Sequence, residues 1–206
     1  MGEANTPTPT EALLAAAKAG DATALGELLA RYNSYLTLLV RVQLSRRIQA
    51  KADPADLVQD AFLEAHRHFG NFRGSSEPEL TAWLRQILGS RLANVVRHYV
   101  GTKGRDVRME TDLQAELDES SRFLDAGLIA GESSPSQQAT RRETAVLLAE
   151  ALDRLPADYR EAIVLRQLEG LPFSEVAERM GRSEDSVQKL WVRGLSRLRI
   201  EAEGLQ

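Results

Sequence analysis

The chain of 206 residues is 43% hydrophobic and 27% charged, the balance of a soluble globular protein with room for one domain or two small ones. It has no cysteine, which excludes a disulfide framework, a thiol switch and a zinc–thiolate centre, and it has no apolar run long enough to insert into a membrane. A net charge of −4 excludes a generally basic coat, so any contact with nucleic acid must come from local patches.

Residues 1–10, MGEANTPTPT, carry acid, threonine and proline rather than the basic-then-apolar order of a secretion signal, so a disordered tail and a cytoplasmic location are expected. From Glu11 the apolar positions Leu13, Leu14 and Ala17, then Leu25, Leu28, Leu29, Tyr32, Leu36, Leu39 and Val40, keep helical spacing, and Gly20-Asp21 marks a break between two helices. Asp53-Pro54 opens a further helix with an acceptor at the N-cap and proline at the first helical position, and Asp56 stands where a capping-box acid would. Leu57, Val58, Ala61, Phe62, Ala65 and Phe69 form its apolar stripe. Gly70, Gly74, Ser75, Ser76 and Pro78 place a loop before a helix running from Glu79 to Tyr99, whose core face is Leu80, Trp83, Leu84, Ile87, Leu88, Leu92 and Val95.

Gly101 and Gly104 close this first unit. From Arg105 to Glu132 three arginines stand against eight carboxylates, a net charge of −5, while the rest of the chain sums to +1. With Gly127, Gly131 and the SSPS run at Ser133–Ser136, the stretch reads as a flexible acidic connection in which a short helix around Leu113 to Leu124 can form. Helices resume from Gln138 to Arg154, break at Pro156 and continue from Asp158 to Leu168. Leu171–Arg199 then reads as helix, turn, helix: Val176 and Met180 stripe the first helix, Ala177 is small where the two cross, Gly181 supplies a positive φ and Ser183 an N-cap. Val187, Leu190, Trp191, Gly194, Leu195 and Leu198 share the core face of the second helix. No strand pattern or repeat interrupts the series. The expected fold class is all-α, with two small helical domains at 11–103 and 138–206 joined by a flexible acidic linker at 104–137.

Three constellations carry chemistry. The face of the last helix opposite its core holds Asp185, Lys189, Val192, Arg193 and Ser196, flanked by Ser186 and Arg197, and Ser186 to Ile200 contains four cations and no acid. It suits a DNA groove, although two amphipathic helices about a glycine turn can equally be a packed hairpin. Glu184 and Asp185 in its first turn either complement the helix dipole or, at Asp185, accept from a cytosine amino group. The second constellation is the acid-free stretch Thr81–Gly104, where Arg85, Arg91, Arg97 and Lys103 interleave with aromatic Trp83 and Tyr99 and follow Phe72, as single-strand binding requires. Trp83 lies on the apolar stripe and reads as core, and solvation is the bland account of the arginines. The third is the acidic side of the Pro54–Phe69 helix, with Asp56, Gln59, Asp60 and Glu64, which suits a basic protein partner or is simply a solvated face. Asp53, Asp56 and Asp60 lack a second carboxylate helix, and His66 and His68 diverge on their helix, so no metal or other cofactor is expected.

DPADLVQDAFLEAHRHFGNFRG (Asp53–Gly74), the Trp83-Leu84 helix and LPADYREAIVLRQLEGLPFSEVAERMGRSEDSVQKLWVRGLSRLR (Leu155–Arg199) together resemble bacterial extracytoplasmic-function (ECF) sigma factors, small sigma-70-type initiation factors made of domains two and four. The long acidic connection resembles one branch of that family. The resemblance implies a non-enzymatic subunit that binds core RNA polymerase, through its β′ clamp helices and β flap, and directs it to promoter DNA. Asp56, Gln59, Asp60 and Glu64 then dock on the clamp helices. The Phe69–Leu80 loop, including Phe72, and the helix bearing Arg85, Ser90, Arg91, Asn94 and Arg97 read and open the −10 element. Ser183, Asp185, Ser186, Gln188, Lys189, Arg193 and Arg197 bind the −35 duplex, and the acidic linker imitates nucleic acid in a polymerase channel. An anti-sigma factor is a further partner the family implies. Departures from the family pattern are Ser90 where relatives have Asn, Leu80 where an aromatic is common, and Glu184-Asp185 where neutral residues are usual. The alternative is a stand-alone helix-turn-helix regulator with an N-terminal helical sensing domain. A helical hydrolase using Asp53, Asp56 and Asp60 lacks a nucleophile, a phosphate loop and a paired metal helix.

Overall fold

The computed structural model describes residues 8–47, 53–100, 107–125 and 138–205, and all its regular elements are helical. The glycines at 101 and 104, Lys103 and the SSPS run lie outside the described residues. The expected tail ends earlier than residue 10. Thr8 caps α1 (Pro9–Lys18) in a reciprocal capping box with Glu11, and Thr10 is buried.

Asp21 caps α2 (Ala22–Arg31) by accepting from the amides of Thr23 and Ala24, after Gly20 breaks the chain with φ 99°. The helix expected to continue from there is divided at Tyr32, whose ring is fully buried, and α3 (Asn33–Arg47) follows. One non-helical residue leaves the apolar spacing almost unchanged, which is why periodicity misses it. Asp53 accepts from the Ala55 amide at 2.8 Å and starts α4 (Pro54–His68), as expected from Asp53-Pro54. A single 3₁₀ turn (Phe69–Asn71) and a loop lead to α5 (Glu77–Val100).

The linker is where the sequence reading and the structure part. Val107–Asp125 forms α6, a helix of 19 residues, longer than the stretch from Leu113 to Leu124. Its Leu113, Leu117, Ser120 and Ser121 are buried where the helix packs on α5, α3 and the later helix α7 (Gln138–Arg154), while Asp112 and Glu119 face outward. Leu113 and Leu117 stand four residues apart and so share one face, which is apolar enough to hold the helix on its neighbours.

In the C-terminal unit, α7 (Gln138–Arg154) packs on α3, α6 and α10, and α8 (Ala157–Ile163) runs into a π-wound turn, Val164–Leu168. That turn serves two interiors. Leu168 joins the main buried cluster, which extends from Leu14 to Leu198, whereas Leu165 packs with Val176, Ala177 and Val187 in a small separate core. This small core belongs to α9 (Phe173–Met180) and α10 (Glu184–Glu203).

Candidate nucleic-acid and polymerase interface

The α9–α10 pair has the geometry its sequence implies. Gly181 adopts φ 61°, ψ 36°, a conformation that costs a side-chain-bearing residue free energy, and Ser183 caps α10 by accepting from the Ser186 amide at 3.3 Å. Gly194 permits the close crossing of α10 with α8: a Cβ there would lie 3.1 Å from Ile163 Cδ1 and 3.2 Å from Tyr159 Cβ. Val187, Gly194 and Leu198 are buried, with Leu190, Trp191 and Leu195 partly so. The opposite face is open: Ser183, Asp185, Gln188, Lys189, Arg193, Ser196 and Arg197 are exposed, Ser186 is half-buried and Val192 is 55% exposed. Asp185 Oδ2 lies 2.6 Å from Lys189 Nζ, and Glu184 accepts weakly from Gln188 at 3.4 Å, so both first-turn acids are engaged one turn further along the same helix. Arg197 pairs loosely with Glu201 at 3.7 Å.

The N-terminal unit divides its expected site residues among three environments. Asp56, Gln59 and Asp60 are exposed along α4 beside Leu63, an apolar side chain 53% exposed. Glu64, on the same helix, instead sits at the seam with α5, where Arg91 approaches it at 2.6 Å and His68 Nε2 at 3.2 Å. A residue expected to face polymerase and one expected to face DNA thus neutralise each other. Ser90 is half-buried, and exposed Asn94 accepts a hydrogen bond from Arg97.

Phe72 is not presented as a stacking platform: it is 8% exposed and packs on Phe69 at 5.9 Å and Trp83 at 5.0 Å between ring centroids. Trp83 belongs to the same aromatic cluster, the core role its place on the stripe implies. Leu80, where an aromatic is common in the family, is fully buried, so its side chain contributes to packing in this structure. The loop before α5 is held by Glu79, which accepts from the Ser75 amide, the Ser76 amide and the Ser76 hydroxyl; these bonds keep its carboxyl below the ordinary glutamate value.

Arg85 has the most constrained position. Its Nε lies 2.9 Å from Asp118 Oδ1, and its Nη1 donates to Ser121 Oγ at 3.0 Å and to the Tyr35 hydroxyl at 3.2 Å. Burial opposes the charged form, but the Tyr35 phenol and the Asp118 carboxylate outweigh it and hold the guanidinium above its ordinary pKa. Nothing local in the sequence marks this cluster, because Asp118 stands 33 residues away in the linker. Among the described residues no group of three metal-ligating side chains occurs, and no helix is long and apolar enough to cross a membrane.

Comparison with known proteins agrees with this layout. Residues 31–102 match the family described as Sigma-70 region 2, and residues 145–198 the one described as Sigma-70, region 4. The ECF RNA polymerase sigma-E factor of Haemophilus influenzae is 30% identical over 171 residues, 82% of each chain. Its namesake in Escherichia coli K12 is 30% identical over 158 residues, 77% of this chain and 75% of that one. Among solved structures, one of an RsbN–BldN complex is 23% identical with a TM-score of 0.30 over 90% of this chain and 96% of the other. One of CnrH with the cytosolic domain of CnrY is 24% identical with a TM-score of 0.33 over 95% and 97%. With its region 2 carried by α3 to α5 and its region 4 by α7 to α10, the chain belongs to the ECF sigma factors of the sigma-70 family, the initiation factors that direct RNA polymerase to promoters.

Proposed function

We propose that this factor divides its contacts as follows. The exposed α4 face of Asp56, Gln59 and Asp60, with Glu64 at its edge, docks on the β′ clamp helices of core polymerase. Arg85, Ser90, Arg91, Asn94 and Arg97 of α5, with the loop that contains Phe72, engage the −10 element. On α10, Ser183, Asp185, Ser186, Gln188, Lys189, Arg193 and Arg197 engage the −35 duplex, and region 4 rests on the β flap. The working domains are 11–103 and 138–206, and the protein acts as a binding subunit without chemistry of its own, in the cytoplasm where the polymerase is. An anti-sigma factor remains a partner implied by membership of the family.

The observation that carries this reading is the open cationic face of α10, held rigidly by the Gly181 turn and the Ser183 cap, on the same chain as an exposed acidic helix. One cationic face alone fits any DNA-binding regulator, whereas a regulator has no use for the α4 face. Size-exclusion chromatography with core polymerase tests it: the parent co-elutes, and Asp60→Ala weakens co-elution while leaving binding to isolated duplex DNA intact. Unchanged polymerase affinity in that variant would remove the docking assignment. Run-off transcription on a genomic fragment library then identifies both promoter elements together.

A further inference from the structure

α6 lies on the face of α5 that holds Arg85. Its inner side is apolar at Leu113 and Leu117, both fully buried, and polar where it meets the arginine. Asp118 gives Arg85 a carboxylate oxygen and Ser121 a hydroxyl; Ser121 also accepts from the Tyr35 hydroxyl at 2.9 Å. A carboxylate oxygen on a guanidinium offers the charge and hydrogen-bond geometry that a phosphate of a nucleic-acid strand would offer. The fit is close at Gly89, where a Cβ would lie 2.5 Å from Gln114 Oε1 and 3.4 Å from Leu117 Cδ1. Charge complementarity points the same way, since Thr81–Gly104 has no acid and Arg105–Glu132 is net −5.

We propose that α6 is a built-in competitor of nucleic acid: in the free chain it occupies the Arg85–Gly89 face of α5 as a mimic of the −10 strand, and it must leave before that strand can bind. This rests on the assignment of Arg85 to the −10 site. Loss of α6 from α5 exposes Leu113 and Leu117, so departure has a hydrophobic cost that binding of the promoter strand must offset. Asp118 is 42% exposed, so water reaches one edge of the ion pair and the pair can open without stranding a deeply buried charge.

The chain contains no cysteine, so a single introduced pair can be oxidised without competition. In Gly89→Cys/Gln114→Cys the introduced side chains start from positions that meet across the seam through the Gln114 amide, and oxidation to a disulfide, verified by mass, fastens α6 to α5. The holoenzyme assembled with the oxidised protein is expected to initiate run-off transcription at least about tenfold less than the reduced one, with co-elution on core polymerase unchanged in both. Equal initiation by oxidised and reduced forms overturns the proposal. Absence of co-elution and of initiation in the cysteine-free parent overturns the sigma-factor assignments themselves. A second variant works in the opposite direction. Leu117→Asp on α6 is expected to raise binding of the free chain to a short fluorescein-labelled single-stranded DNA of random sequence by about tenfold. Binding no tighter than the parent's overturns the competitor.

Discussion

Asp185→Asn separates two accounts of the acidic first turn of α10 by the sign of its effect. Asp185 and Lys189 form an exposed pair at 2.6 Å, with side chains 74% and 63% exposed. Such a helical pair holds together by about 0.3–0.5 kcal/mol, so its removal frees Lys189 for a phosphate at a gain of about twofold in affinity. The plot of log affinity against log salt then steepens by about 0.9, the contribution of one added phosphate contact. If instead Asp185 accepts from a cytosine amino group, the substitution loses about 1–3 kcal/mol, or about 5- to 150-fold, and only on duplexes with cytosine at that position. Fluorescence anisotropy with the −35 duplex recovered by run-off transcription, and with single-base variants of it, reads both quantities over a salt series. An unchanged affinity and an unchanged salt slope on every duplex would refute the idea that Asp185 restrains Lys189 or reads a base at all.

Further substitutions test the scaffold. Val187→Ala empties part of the small core shared with Leu165, Val176 and Ala177 and costs about 2 kcal/mol there. Hydrogen exchange of α9 and α10 amides speeds by about 25-fold in consequence, and a change below about twofold counts against a separate core. Glu79 is a group whose folded pKa is depressed, so its hold on the loop before α5 is present above the ordinary glutamate value and fades as pH falls through the lower folded value. Protection of the Ser75 and Ser76 amides, compared at each pH with that in Glu79→Gln, shows the gap between the two proteins closing on acidification; a constant gap contradicts the cap.

The α9–turn–α10 unit was legible because its signals are local: a glycine at a left-handed position, a serine cap and an apolar spacing that fall within one segment. The start of α4 was legible for the same reason, since Asp53 and Pro54 act on the amides next to them. What was not legible is which surface covers which. Periodicity marks an apolar face on α5 without saying that α6 will lie beside it. The pairing of Arg85 with Asp118, and of Arg91 with Glu64, joins residues distant in sequence and leaves no pattern in either segment. The surroundings of Phe72 were hidden for the same reason: an aromatic next to a basic helix looks like a stacking surface until Phe69 and Trp83 are seen to pack against it. The acidic linker read as flexible because its composition is that of a tether, yet Leu113 and Leu117 suffice to anchor a helix once a complementary face is available.

The main buried cluster runs unbroken from Leu14 in α1 to Leu198 in α10, with α7 joining the two ends. Separation of the units would therefore uncover many side chains together, which makes opening a single cooperative step rather than a continuum of loosely hinged shapes. A partner that binds only open chains sees its intrinsic affinity divided by their rarity: with one open chain in about a hundred, the apparent dissociation constant rises about a hundredfold. For such a partner, substitutions along the α3–α7 seam change how much of it the factor captures at a given abundance, while every contact between the two stays the same.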